Sequence, residues 1–427
     1  MTKKQKLDKS KKKKKMLVYA DSAICSTGFG QVAKNILKRL ADEYEITQFA
    51  INHPDLRDEF GAPKKHNMPF EILEAKFLSP EDIRNGFKPS PYGKRKFAQY
   101  ALTHDFDIFF TIQDPIIMKD MIEFLQREDV VKKREGFGFS PFKTVAYFPV
   151  DSDYFYKDWE EVVEKFDVAV PYTFYAKDKC LKHNPSSKVV DPIYHGIDTD
   201  VFRPLPKKEK EAIRQFYKIP PEAFVVGNVA RNQPRKDPPR LIMAFKEFKK
   251  KVPDAVLVMV CDPEEVAYNL NIVNKNFGLV GGKDVFFLGP KMGEYWETAK
   301  INEIYNTFDV GLSSTTGEGF NLFNFECYAT KVPVILPNNT VAQELIGENE
   351  ERGLLCNSGN VSNLWTVMPY VPLDPPRPLL DIEHAAELLH SVYEKRPADK
   401  IEAAFQFAQE NNWNSIATKW RELFSNL

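Results

Sequence analysis

Short apolar runs rich in β-branched and aromatic residues alternate with amphipathic helical stretches, and this alternation runs through the chain twice. In the first pass Leu17 to Ala20, Tyr44 to Ile51, Asp107 to Ile112, Thr144 to Val150, Val168 to Val170 and Val189 to Tyr194 read as strands. Gln31 to Leu40 reads as a helix, with Val32, Ile36, Leu37 and Leu40 on one face. After a charged helical stretch, Lys207 to Tyr217, and the break Ile219-Pro220-Pro221, the pattern restarts. Phe224 to Ala230, Val256 to Val260, Val285 to Leu288, Val310 to Ser313 and Val334 to Leu336 are its strands. Alternation of this kind with largely apolar strands predicts parallel sheets covered on both faces. The fold class expected is α/β: two doubly wound, Rossmann-like domains with a ligand cleft between them, facing the carboxyl ends of both sheets.

A chain of 427 residues is long enough for two such cores. The boundaries read as a basic, disordered arm over 1–15, a first domain over 16–203, a linker over 204–222, a second domain over 223–398 and a terminal helical segment over 399–427. Within the second domain, Asp237-Pro238-Pro239 reads as a helix start with an acidic N-cap, and Leu241, Ile242, Phe245 and Phe248 as that helix's buried face. Five prolines between residues 369 and 378 predict a loop, and Lys400 to Phe424 an amphipathic helix.

The formal charge of −1 conceals an asymmetry. Residues 2–15 hold nine lysines against the single Asp8, so the rest of the chain is acidic. The longest apolar run, Ala255 to Cys261, is far too short to span a bilayer, and the run behind the arm stops at Asp21. Five scattered cysteines form no CxxC pair and no zinc pattern, which suits a reducing, cytoplasmic setting.

Two places carry candidate chemistry. Arg231 and Lys236 follow the strand Phe224 to Ala230 at the mouth of the next helix, where unpaired N–H groups and the dipole favour an anion. Gly317 to Glu326 follows the strand Val310 to Ser313 as a loop with two glycines leading into a helix from about Leu322. The glycines allow close backbone approach, and the carboxylates of Glu318 and Glu326 suit vicinal hydroxyls of a ribose or hexose. Each cation and each acid has a bland alternative as a solvated surface charge or a helix-dipole acid.

Glu318 and Glu326 are separated by seven residues, and Gly317 to Glu326 resembles the glycine loop and E-x7-E signature of retaining GT-B glycosyltransferases of family 4, the glycosyl transferases group 1. Arg231 and Lys236 match that family's R-x4-K clamp, and His195 to Pro204 resembles its element at the domain junction. Gly28-Phe29-Gly30 resembles its first-strand glycine loop, and Trp413 to Phe424 its terminal crossing helix. Two positions depart: Lys331 stands for the glycine of the family's G-x-PVI segment, and Asn321 for the glycine after Phe320.

The resemblance implies transfer of a hexose from a nucleoside-diphosphate sugar to an acceptor hydroxyl with retention of configuration, UDP-glucose being the commonest donor in the family. It places Arg231, Lys236 and the N–H groups of Gly319, Phe320, Asn321 and Leu322 on the diphosphate, Glu326 on the ribose and Glu318 on the hexose. The base is expected against Gly289 to Met292, with Gly28 and Gly30 also lining the donor. Asp151 stands where the family carries an acceptor-side histidine, and two readings remain open: it orients the acceptor hydroxyl, or it caps a helix before Trp159. No cofactor beyond the co-substrate UDP-sugar and no metal are implied, because cations and a helix end meet the leaving diphosphate. Asp151-Ser152-Asp153 and Asp198-Thr199-Asp200 are then metal-site look-alikes. Gly28-x-Gly30-x-x-Ala33 is a weak dinucleotide fingerprint, since seven residues separate it from the strand. Acceptor glycan, lipid-linked glycan and modified DNA all remain as partners, the lipid through the lysine arm or an amphipathic face and DNA through the arm, which otherwise reads as a solvated tail or a solubility feature. A non-catalytic polyanion-binding protein and a sugar-phosphorolysing enzyme are the rival classes.

Overall fold

The computed structural model describes residues 12–54, 66–76, 84, 90–265, 267–290, 296–359, 361–367 and 375–427. The first domain is built on strands β1 (Lys14–Asp21), β2 (Tyr44–Ile51), β3 (Glu71–Glu74), β4 (Ile108–Ile112), β5 (Lys143–Phe148) and β6 (Val168–Pro171). Its helices are α1 (Gly28–Leu40), α2 (Lys94–Thr103), α3 (Pro115–Leu125), α4 (Glu128–Gly136), α5 (Lys157–Val163) and α6 (Phe174–His183). All six strands are parallel, in the order β3-β2-β1-β4-β5-β6.

A helix α7 (Lys207–Phe216) leads into the second domain. There β7 (Val225–Val229), β8 (Val256–Val260), β9 (Val285–Phe287), β10 (Val310–Leu312), β11 (Val334–Pro337) and β12 (Leu354–Cys356) form a second parallel sheet, ordered β12-β11-β10-β7-β8-β9. It is covered by α8 (Pro238–Lys249), α9 (Leu270–Asn276), α10 (Thr298–Tyr305), α11 (Leu322–Ala329), α12 (Ala342–Ile346) and α13 (Ile382–Glu394). A short antiparallel pair, β13 (Trp365–Thr366) with β14 (Arg377–Pro378), and two last helices, α14 (Ala398–Glu410) and α15 (Trp413–Ser425), complete the chain. Counted from its own first strand, each sheet has the same order, 3-2-1-4-5-6. Each therefore reverses its winding between its first and fourth strands, and opens a crevice there.

Burial explains why the apolar runs become strands. In β4 all five residues are buried, as are all five of β8, because helices cover both faces. The expected buried face of α8 is present: Leu241, Ile242, Phe245 and Phe248 are within 1% of full burial. α15 returns to the first domain, where Trp420 packs 5.0 Å from Phe110 and 4.8 Å from Tyr147 between ring centroids. Full burial of a side chain that size contributes on the order of 3 kcal/mol.

Four expectations are corrected. Val189 to Tyr194 makes only one bridge, Val189 to Ala169, because Pro192 lacks the N–H a ladder needs. Lys400 to Phe424 is two helices, broken at Asn411-Asn412, where the Asn412 carboxamide oxygen accepts from the N–H groups of Asn414 and Ser415. Asp237 makes no side-chain cap and takes φ 44°, since Pro239 removes one of the N–H groups a cap would bind. Lys14 and Lys15, assigned to the arm on their charge, belong to β1 beside Tyr44 and Glu45. The rest of the arm up to residue 11 lies outside the described residues, as do residues 368–374 of the proline-rich loop. The short edge strands β3 and β12 escaped the sequence reading.

Candidate active site

The crevices of the two sheets face each other, and charged side chains converge where β7 and β10 end. The loop after β7 carries Arg235 and Lys236 in a single 3-10 turn, Pro234–Lys236. The loop after β10 is stapled to that turn: the Ser314 hydroxyl donates to the Lys236 carbonyl at 2.8 Å and the Thr316 N–H to the Arg235 carbonyl at 2.8 Å. These backbone ties bring Glu318 between the two cations. Its carboxylate accepts from Arg235 at 2.9 Å and pairs directly with Lys236. Burial opposes its ionisation, but the ammonium and guanidinium outweigh burial and hold the Glu318 pKa down at about 2. The group is a carboxylate at any physiological pH.

Arg231 lies apart from this pair. Its guanidinium is 62% exposed and bonded to Glu265, with Nε 2.9 Å from Oε1. Lys236 and Glu318 are brought together, and the arginine beside them is Arg235, which the sequence reading passed over. Its only signal was adjacency to Lys236.

Glu326 sits one turn into α11 and takes a different partner: the Tyr305 hydroxyl at the end of α10 donates to it at 2.5 Å. Burial raises its pKa to about 7, against the pull of that hydrogen bond. Asn321 precedes α11 at φ 77°, and Lys331 follows it at φ 58°. Both departures from the glycine pattern thus occupy left-handed backbone, which asparagine tolerates well and lysine less so. Leu322 opens α11, and its side chain lies 3.8 Å from where a Cβ on Gly28 would be, so the starts of α1 and α11 oppose each other. Gly30 is buried under Cys25, while Gly289 packs on the Cys261 backbone. Met292 lies outside the described residues.

The glycines of the loop do more than admit a ligand. A Cβ on Gly317 would stand 2.1 Å from the Asp151 carbonyl, and one on Gly319 2.4 Å from Pro149. The loop needs both glycines to press against the end of β5 in the other domain. Phe320 completes that contact, its ring centroid 4.4 Å from His195 and 5.7 Å from Tyr194. His195 is itself buried and neutral, its pKa lowered to about 3 by burial. The Tyr147 hydroxyl donates to the Ile193 carbonyl at 2.6 Å, so the His195 Nδ1–H donates to Tyr147 at 2.7 Å.

On the first-domain side, Asp151 meets two arginines of the second domain. Arg235 Nε lies 3.4 Å from one carboxylate oxygen and Arg377 Nη2 3.4 Å from the other, while Arg377 Nη1 donates to the Asp151 carbonyl at 2.9 Å. Asp151 is not the helix cap; Tyr156 holds the N-cap position of α5. Asp21 ends β1 and accepts from Thr27, Asn52 and Gln113. Asp114 follows β4, and burial together with the Asp151 charge raises its pKa to about 7. Arg377, Asp21, Asp114 and Tyr305 are additions of the tertiary structure; no local pattern marks them.

The DxD elements do not converge. Asp153 is bonded by Lys179 at 2.8 Å and by the Tyr175 hydroxyl at 3.0 Å, and Asp198 accepts from the Asp200 N–H. Among the described residues no group of three or more His, Cys, Asp or Glu side chains is set to hold a metal ion, and no helix is long and apolar enough to cross a membrane.

Residues 209–375 match the model of the family glycosyl transferases group 1. The match falls within the second domain and the helix that leads into it. Related sequences include a D-inositol 3-phosphate glycosyltransferase of Corynebacterium urealyticum, 28% identical over 196 residues, covering 43% of this chain and 42% of the relative. The namesake of Mycobacteroides abscessus is 25% identical over 188 residues, covering 41% and 38%. The matched region thus spans about two-fifths of each relative. Anabaena Alr3699/HepE, solved with UDP and glucose, superposes with a TM-score of 0.70 at 17% identity, over 97% of this chain and all of that one. Sucrose-phosphate synthase of Thermosynechococcus elongatus gives 0.69 at 15% identity, over 97% and 100%. The fold is GT-B, and Lys236, Glu318 and Glu326 all lie within the stretch that matches the family model.

Proposed function

We propose that the chain transfers a hexose from a nucleoside-diphosphate sugar, UDP-glucose foremost, to an acceptor hydroxyl with retention of configuration. The observation that carries this reading is the Glu318 carboxylate set between Lys236 and Arg235 at the crevice of the second sheet. A carboxylate held ionised there accepts hydroxyl protons from the hexose, while the two cations face the diphosphate. Lys236, Arg235 and the N–H groups at the start of α11 then stabilise the charge that grows as the bond from C1 to the diphosphate oxygen breaks. Arg231 leaves Glu265 to close the outer edge of the diphosphate. Glu326, ionised, accepts the ribose diol.

The acceptor oxygen bonds to C1 on the face the diphosphate leaves, and its proton passes to a diphosphate oxygen. Asp151, fixed by Arg235 and Arg377, orients that hydroxyl. The first-domain wall of Asp21, Asp114 and Asp151 offers acceptors for several hydroxyl protons, which suits a sugar or polyol. The names of the inositol-phosphate relatives and the glucose bound in the Anabaena protein support the same class.

The test is incubation with a panel of sugar nucleotides, UDP-glucose first, and a panel of sugars, inositol and inositol phosphate, following nucleotide release and the anomeric proton of the product by NMR. A product with the donor's anomeric configuration is expected. UDP release with an inverted product overturns retention, and no release from any sugar nucleotide overturns the whole reading.

A further inference from the structure

The rim of the cleft carries a second interdomain tie, away from the charges just described. Glu344 belongs to α12 of the second domain, and its backbone is anchored there: Arg352 donates to the Glu344 carbonyl at 3.0 Å and to the Leu345 carbonyl at 2.8 Å. Its side chain reaches the other way. One carboxylate oxygen accepts the N–H of Phe174 at 2.9 Å and the other the N–H of Tyr175 at 2.7 Å, the first two residues of α6 in the first domain. The Tyr194 hydroxyl donates to the same carboxylate. α6 already has a cap of its own, since the Thr173 hydroxyl accepts from the Ala176 N–H at 3.1 Å. Glu344 therefore adds a negative charge from one domain to the positive end of a helix in the other.

We propose that Glu344 is a positioning residue that latches the two domains closed over the cleft. Three features make it a latch rather than filler. It is polar and half-buried at the rim, so it parts at little cost, unlike the apolar junction where the Trp413 N–H donates to the Ile197 carbonyl and the Ile197 N–H to the Asn411 carbonyl. It spans domains whose backbones are fixed independently. Through Tyr194 it also touches the donor loop, because the same ring packs 5.7 Å from Phe320. Closure by the latch thus seats Phe320, and with it the start of α11, against the first domain.

The latch is a statement about domain closure, and only its kinetic arm rests on the proposed function. The test uses the full chain with spin labels at Lys157→Cys in α5 and Lys275→Cys in α9, both exposed, while the five native cysteines are buried. Glu344→Ala is expected to raise the ratio of open to closed arrangements roughly tenfold, the scale of a charge at a helix end, and to lengthen the label distance. Thr173→Ala strips the cap that α6 makes within its own domain and is expected to leave the distance distribution unchanged. An unaltered distribution in Glu344→Ala overturns the latch, as does an equal change in Thr173→Ala, which would reduce Glu344 to a helix cap. In the kinetic arm Glu344→Ala raises the acceptor KM with little change in kcat. Activity absent from the parent chain as well would count against the proposed function and leave the distance result standing.

Discussion

The two domains share one strand order, yet their crevices are charged in different ways. In the second domain Lys236, Arg235 and Glu318 come from two loops tied to each other by hydrogen bonds to backbone carbonyls, so two cations and one anion are held together inside one domain. In the first domain Asp21, Asp114 and Asp151 stand at the ends of three separate strands, and the arginines that meet Asp151 belong to the other domain. One half-site is built before the domains meet; the other is completed by their meeting. Under the proposed function the donor half should therefore tolerate domain movement, and the acceptor half should depend on it.

The sharpest way to break this comparison is to remove a cation from the self-contained half. Lys236→Ala should lower turnover roughly 10²- to 10³-fold, the cost of one electrostatic donor in a water-excluded site. Arg231→Ala should cost about tenfold or less, because a guanidinium 62% exposed acts through a higher dielectric. Steady-state kinetics on both variants checks the order; equal losses would place Arg231 as deep in the site as Lys236.

A smaller effect tests Glu326. Its ordinary value of 4.5 is raised to about 7, and the proposed contact with a ribose diol uses the ionised form. The donor KM should fall severalfold between pH 6 and pH 8 as the carboxyl loses its proton, and Glu326→Gln should flatten that profile. Stability runs the other way. The folded chain keeps this proton between about pH 4.5 and 7 while the unfolded chain releases it, so the group's contribution to stability declines as pH rises through that window. Thermal unfolding of the same variant across pH reads that slope.

The smallest expected effect is none. Added EDTA should leave turnover within about twofold, since Arg235, Lys236 and the start of α11 already supply the positive charge a divalent ion would bring. Loss of activity restored by manganese would overturn this and reopen Asp151 and Asp153 as ligands.

Much of the architecture was legible from residue order alone. Tyr44–Ile51 and Val256–Val260 are strands with the bounds read from residue order; the second is apolar throughout because helices cover both its faces, while the first keeps Glu45 exposed. Lys236, Glu318 and Glu326 were marked by the family resemblance rather than by spacing alone; each lies within a few residues of a strand end or helix start, so local chain order carries it to the crevice. Asn321 and Lys331 hid a glycine's role, since a left-handed backbone is invisible in residue type once another side chain adopts it.

The tertiary structure alone decided the rest. Whether Arg231 or Arg235 joins Glu318 depends on which carboxylate each can reach, and Glu265 claims the first. Whether Asp151 caps a helix or faces the cleft was settled by two arginines, one of them 226 positions away along the chain. Glu344 meets α6 across 170 positions. Sequence order specifies contacts within a turn or between a strand and the helix that follows it. Contacts across a domain boundary depend on how two finished surfaces approach, and no local run of residues encodes that approach.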